Sequence, residues 1–317
     1  MSGAPRILVV GYNAFDVTVA VAGLPRPDTK LEVPPIRLGG GGPAATAAVA
    51  LARLGAAVRL LSPLTDDEAG RLQRRELAAA GVDTGACPVL PGVESAKAVI
   101  LVDPTDGTRT ILWSRGGVPP LPPPADPAAT LAACDLLYVD GHEPAASVVL
   151  ARQAWRLGLP VVMDAGSVRE GSRELVPLCT DVISSAVFAP AYTGRPEPAA
   201  ALRALRAEGP ARVAMTFGAD GVLALAGGEP FAVPAFLVEA VDTTGAGDAF
   251  HAGYAFALAR GAAFAEALRW GAAVAALKCR DWGGRRGLPG RAETESFLAH
   301  GAARPLGPRV AAAAAAP

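Results

Sequence analysis

The stretch Asp242-Thr243-Thr244-Gly245-Ala246-Gly247-Asp248-Ala249-Phe250 reads DTTGAGDAF and runs straight into an Ala/Leu-rich segment, His251 to Ala259, of helical composition. A Gly-Ala-Gly turn at a helix start leaves several backbone N–H groups unpaired and aimed at one point. The helix dipole adds partial positive charge there, so the spot suits a phosphate or a developing anion. Asp248 lies three residues after the first glycine, in the first helical turn, within reach of that point as a candidate base. Donors for negative charge beside a base point to phosphoryl transfer onto a hydroxyl. A bare GxGD is equally compatible with a tight loop whose aspartate merely favours the dipole. The rest of the chain decides between the two.

Outward from this turn the pattern alternates. Ile7–Val10, Val58–Leu61, Leu136–Val139, Val161–Met163, Val182–Ile183 and Val213–Thr216 are short apolar runs typical of buried strands. Between them lie helix-like segments at Pro43–Leu54, Glu68–Ala80 and Ala146–Leu157, several closed by glycine. Such alternation predicts an α/β fold, a doubly wound and mainly parallel sheet with helices on both faces. Two segments break the rhythm. Residues 13–37 hold β-like pieces interrupted by prolines, and residues 95–115 alternate as a hairpin about Asp106-Gly107. Together they predict a small β-sheet lid on a single domain spanning residues 1–307. The Ala-rich end, residues 308–317, is expected to be a disordered tail.

At 317 residues, 51% of them hydrophobic, the chain can bury a large core. Lys and Arg number 29 against 30 Asp and Glu, with no basic run, which gives no reason to expect nucleic acid or an anionic membrane as partner. The four cysteines are scattered and unpaired in sequence, as in a reduced compartment, and there is neither a signal-like nor a membrane-spanning stretch; a cytoplasmic protein is expected. The three histidines form no metal-binding pair. No GxxxxGK[ST] is present, so a P-loop is excluded, and no GxGxxG follows the first strand, which weakens a dinucleotide oxidoreductase.

Three further stretches carry chemistry. Asn13 and Asp16 follow the first strand, at the carboxyl end where open α/β sheets bind ligands. Gly39-Gly40-Gly41-Gly42-Pro43 precedes a helix and permits close backbone approach to a ligand. Thr216-Phe217-Gly218-Ala219-Asp220-Gly221 follows a strand as a turn.

DTTGAGD resembles the second signature of the ribokinase-like (PfkB) carbohydrate kinases, and GGGGPAAT resembles the first; the resemblance covers roughly residues 6–300. It implies in-line transfer of the γ-phosphate of ATP to a sugar hydroxyl. Asp248 would be the base, and the N–H groups of Gly245, Ala246 and Gly247 the anion hole. Asn13, Asp16, Gly40, Gly41, Gly42 and Thr46 would bind substrate, with Lys30 available to an anionic group. Thr216, Gly218, Gly221, Lys278 and Gly284 would face the nucleotide. Mg2+ would accompany ATP, and Asp242 and Thr244 match positions that hold a monovalent cation, K+, in some members. A homodimer through the lid sheet is expected.

The chain departs from the family at two points. Thr46 stands where Asn is usual, and Ser184-Ser185-Ala186-Val187-Phe188 replaces an N-x-x-E element that orders Mg2+-bound water. GGGPAATAAVA with the segment Leu277–Pro289 looks most like the sulfofructose kinase branch, although expected sulfonate partners are missing. Arg115 or Arg169 is available to a carboxylate, as in a ketodeoxygluconate kinase. The alternatives are a nucleoside kinase, or a catalytically weak sugar- or nucleotide-binding member.

Overall fold

Burial on both faces explains the first layer. The computed structural model describes residues 3–315. Its strands are β1 (Arg6–Val10), β2 (Ala14–Ala20), β3 (Arg37–Gly41), β4 (Ala57–Leu61), β5 (Leu64–Thr65), β6 (Val89–Leu90), β7 (Lys97–Val102), β8 (Arg109–Ser114), β9 (Leu136–Val139), β10 (Val161–Ala165), β11 (Asp181–Ser185), β12 (Arg212–Thr216), β13 (Val222–Leu225) and β14 (Phe231–Val233). The main sheet runs β14-β13-β12-β11-β10-β9-β1-β4. Its strands from β12 to β4 are parallel, and β13 and β14 extend it antiparallel. Apolar clusters on its two faces explain why the strands read as near-continuous Val/Ile/Leu runs.

The helices are α1 (Pro43–Arg53), α2 (Glu68–Ala79), α3 (Pro127–Leu131), α4 (Pro144–Leu157), α5 (Ser172–Leu175), α6 (Phe188–Thr193), α7 (Pro198–Ala207), α8 (Ala246–Ala259), α9 (Phe264–Lys278), α10 (Arg291–His300) and α11 (Pro308–Ala315). Helix α8 is apolar almost all round because it is buried from Ala249 to Ala257. It packs tightly on α9: a Cβ on Gly253 would lie 2.9 Å from Trp270 O. That close seating fixes the start of α8, and with it Asp248.

A second sheet, β3-β2-β7-β8, stands beside the main one. The hairpin expected about Asp106-Gly107 is present as β7–β8. Residues 21–36, in contrast, carry no strand, and β3 begins only at Arg37. The glycine run belongs to this sheet, since Gly39–Gly41 pair with Ala14–Asp16 of β2. One expectation needs correction. The tail is ordered through residue 315: α11 buries Val310 and Ala313 against α7, β13 and β14. Alanine is a strong helix former, and one buried valine with one buried alanine gives this short helix an apolar face to dock. Residues 316–317 lie outside the described region.

Candidate active site

The carboxyl ends of the parallel strands bring Tyr12, Asp140, Asp164, Ser185 and Thr216 to one edge of the main sheet. Between this edge and the second sheet lies a cleft of about 850 Å³, large enough for a nucleotide and a small second substrate. At its centre is the start of α8. Gly245 adopts φ 73°, and a Cβ there would sit 2.7 Å from Gly284 O, so only glycine allows both the left-handed turn and the approach of the 283–284 loop. The N–H groups of Gly245, Gly247 and Asp248 have no backbone acceptor, whereas that of Ala246 donates to Thr243 O at 3.1 Å. Ala246 is therefore already committed to the turn. Its neighbours are the free donors.

Asp248 lines the cleft, and its carboxylate has no hydrogen-bond partner among the described residues. Burial, and next the charge of Asp164, push its pKa up to about 7; His251 and Arg109 pull the other way. Asp164 is itself raised by burial, and accepts a hydrogen bond from Tyr138 Oη at 3.0 Å. His251, on the turn after Asp248, is buried; its Nδ1 lies 2.6 Å from Gly247 O and 3.4 Å from Asp164 Oδ2. Asp140 accepts from the N–H groups of Tyr12, Ala44 and His142 at 2.8–3.0 Å, tying β1, α1 and β9 together.

On the side of the second sheet, Asp16 is buried and lines the cleft; burial raises its pKa to about 7, with Arg285 opposing. A Cβ on Gly41 would lie 2.1 Å from the Asp16 carboxylate, and one on Gly40 would lie 1.9 Å from Arg285 Nη1. The glycines thus make room for Asp16 and Arg285. Gly42 alone of Gly40–Gly42 lines the cleft, together with Thr46. Asn13 is buried behind it, donating to Gln73 Oε1 and accepting from Arg285 Nη2 at 3.5 Å.

Thr216, Gly218 and Gly221 line the cleft with Ala272, Ala275 and Ala276 of α9, whereas Gly284 lines it beside Asp16 and Thr46, each 3.9 Å from a Cβ built there. Two expected residues are elsewhere. Lys30 is exposed in the strandless 21–36 loop and does not line the cleft. Lys278 is wholly buried, and its Nζ donates to Asp242 O at 2.7 Å, away from the cleft. The last turn of α9 points this lysine at the carbonyl of the 241–243 loop. Asp242 accepts from Thr244 N and Gly283 N at 2.8 and 2.7 Å, while Thr244 Oγ1 is buried with no partner. A monovalent cation fits this corner only in part, since Lys278 already brings positive charge to it. For Mg2+, no group of three His, Cys, Asp or Glu side chains comes together as ligands among the described residues. In the segment replacing N-x-x-E, Ser184 Oγ donates to Ala214 O and Ser185 Oγ to Gly166 O.

Four residues escaped the sequence reading: Arg109, Asp140, Asp164 and Arg285. Arg109 donates from β8 to Thr243 Oγ1 at 3.1 Å, and Thr243 Oγ1 donates to Gly107 O at 2.8 Å. These bonds join the hairpin tip to the turn that opens α8. Arg285 sits in a Gly-Gly-Arg-Arg-Gly run where nothing distinguishes it from Arg286.

Residues 4–291 match the pfkB family carbohydrate kinases. The chain is 31% identical to the ribokinase of Haemophilus influenzae over 93% of this chain and 98% of that one. It is 32% identical to the ATP-dependent ribose-1-phosphate kinase of Halopiger xanaduensis over 78% of this chain and 83% of that one. The solved structure of Arabidopsis thaliana ribokinase complexed with ribose and ATP aligns with a TM-score of 0.80 at 23% identity, covering 94% and 99% of the two chains. The chain belongs to the pfkB family, and is a phosphotransferase acting on a sugar hydroxyl. The sulfofructose branch finds no support among these relatives. No helix among the described residues is long and apolar enough to cross a membrane.

Proposed function

We propose that the cleft transfers the γ-phosphate of ATP to a hydroxyl of a sugar or sugar derivative held between Asp16 and Asp248. The observation that carries this is the free Asp248 carboxylate, raised toward neutrality, one turn from the unpaired N–H groups of Gly245 and Gly247. A base with a pKa near 7 accepts a hydroxyl proton at working pH, and the adjoining N–H groups stabilise charge on the moving phosphoryl group. Asp16 and Thr46 supply acceptors and a donor for sugar hydroxyls. The turn at Thr216–Gly221 and the alanine wall of α9 supply the nucleotide side, with Gly284 between it and the sugar side. Mg2+ would arrive with ATP and neutralise phosphate charge. The test is Mg-ATP-dependent ADP release over a panel of pentoses, hexoses, sugar acids, sugar phosphates and nucleosides, with the phosphorylated product identified by mass. ADP release without a phosphorylated sugar would sink the reading. Turnover of nucleosides alone would replace the sugar by the nucleoside alternative.

The second sheet serves in this reading as a lid, anchored by Arg109 and Gly107 on Thr243. Its outer face also explains the proposed homodimer. Pairing aligns Leu38, Val17, Val99 and Leu112 on one rung across the four strands, and Leu38, Val99 and Leu112 are exposed. An exposed apolar rung on a four-stranded sheet is a surface that a second copy would cover. Sedimentation should give a dimer, and Leu112→Glu should give a folded monomer; a monomeric wild-type protein would refute the assignment.

A further inference from the structure

Arg169 lines the cleft without a part in the proposed phosphoryl transfer, Arg115 lies behind it over the ring of Tyr12, and the structure treats the two differently. Arg115 is satisfied: its Nη2 bonds Glu143 Oε1 at 2.6 Å, and further bonds reach the carbonyls of Val118, Pro119 and His142. Arg169, half-buried beyond the end of β10, makes neither an ion pair nor a side-chain hydrogen bond among the described residues. Its guanidinium lies 5.7 Å from the ring centre of Trp113 on β8. Burial pulls its pKa down, and the charges of Asp140 and Asp164 oppose this only in part.

The two nearby carboxylates act on it through space, but neither bonds it. Asp140 is turned onto three backbone N–H groups, and Asp164 onto Tyr138 and His251. Trp113 is held by Tyr12 and His142, whose ring centres lie edge-on to it at 5.8 and 6.0 Å, so the platform beside Arg169 is preformed. A guanidinium with free donors, stacked on an aromatic face in a partly dried cleft, is built to grip a planar or tetrahedral oxyanion. Trp113 belongs to the second sheet and Arg169 to the loop that follows β10 of the main one, so an anion bound here would also join lid to body.

We infer that the substrate is an anionic sugar, bearing a carboxylate or phosphate that Arg169 binds against Trp113. This rests on the kinase reading above and adds the charge of the substrate. The experiment compares matched pairs with Mg-ATP: ribose against ribose 1-phosphate, and a neutral ketohexose against ketodeoxygluconate. One charged member should exceed its neutral partner in kcat/KM by about 30-fold or more, as expected of a charge-assisted hydrogen-bonded pair. Which pair shows the preference distinguishes phosphate from carboxylate. In Arg169→Ala that ratio should fall to near unity, mainly through KM, and Arg169→Lys should restore part of it. A preference for both neutral sugars, or a charge preference that survives Arg169→Ala, overturns the inference while leaving the kinase intact. Absence of turnover on every sugar would instead refute the kinase reading. Calorimetric binding of the charged sugars then decides the inference: loss in Arg169→Ala sustains it, and no Arg169-dependent binding overturns it.

Discussion

Asp248→Asn should lower kcat by about 10²- to 10⁴-fold, the range supplied by a positioned base, while leaving ATP affinity within a few-fold of wild type. The side chain keeps its shape and place in the first turn of α8, so the N–H groups of Gly245 and Gly247 remain where they are. What is lost is the ability to take the hydroxyl proton. The wild-type enzyme should show the same group in its pH profile. With the carboxyl raised to about 7, kcat at saturating sugar should fall below that pH with a slope of one proton, because the protonated acid cannot act as base. The asparagine variant should lack this limb.

Linkage gives an independent sign. A carboxyl raised on folding binds its proton more tightly in the folded state than in the unfolded one. It therefore costs stability at pH values above its ordinary pKa of 3.8, and the full cost is present above about 7. Removing the charge should leave the melting temperature at pH 8 unchanged or higher. A variant that is slower and also less stable would indicate damage to the turn and not loss of a base. Full activity in Asp248→Asn would refute the mechanism outright.

Arg285→Met should raise KM for the sugar by ten-fold or more and destabilise the fold by about 3 kcal/mol, toward the lower end for breaking a buried ion pair because Glu76 is partly exposed. The guanidinium donates to Gly41 O at 2.6 Å, reaches Asn13 Oδ1 and Glu76 Oε2 at 3.5 Å, and is the largest influence holding the Asp16 carboxyl down. Without it, Asp16 is left to burial and to the charge of Glu76, both of which favour the protonated form. A neutral Asp16 accepts sugar hydroxyls poorly. The control is Arg286→Met, whose side chain is 74% exposed and paired loosely with Asp281 at 3.4 Å; it should change neither quantity appreciably. Unchanged sugar KM in Arg285→Met would remove Arg285 from the substrate side of the cleft.

Local chemistry made much of this protein legible. The parallel strands announce themselves because strands covered on both faces must be apolar without alternation, as Ile7–Val10 and Leu136–Val139 are. The turn at Gly245–Asp248 is legible for a similar reason: positive φ, a helix start and a carboxylate in the first turn leave few residue choices, and those choices are contiguous. The β7–β8 hairpin could be read from its two-residue period and its Asp-Gly turn.

Other features depend on which distant segments meet. Lys30 and Lys278 carry the right charge for a ligand, yet one lies in an exposed loop and the other is turned inward onto Asp242 O. Arg285 and Arg286 are neighbours with the same side chain, and only the packing of the 283–287 segment against β3 buries one and exposes the other. Arg115 and Arg169 are equivalent in sequence, and only the fold sets Glu143 against the first. The glycines of β3 suggested open space for a ligand, but that space is largely filled by Asp16 and Arg285. Contiguous sequence determines a turn, a strand or a helix start, because those follow from backbone sterics and nearest neighbours. Whether a charged side chain is free to bind depends on partners brought in from other elements, 28 residues away for Arg115, 36 for Lys278 and 244 for Arg285, and that only the tertiary structure decides.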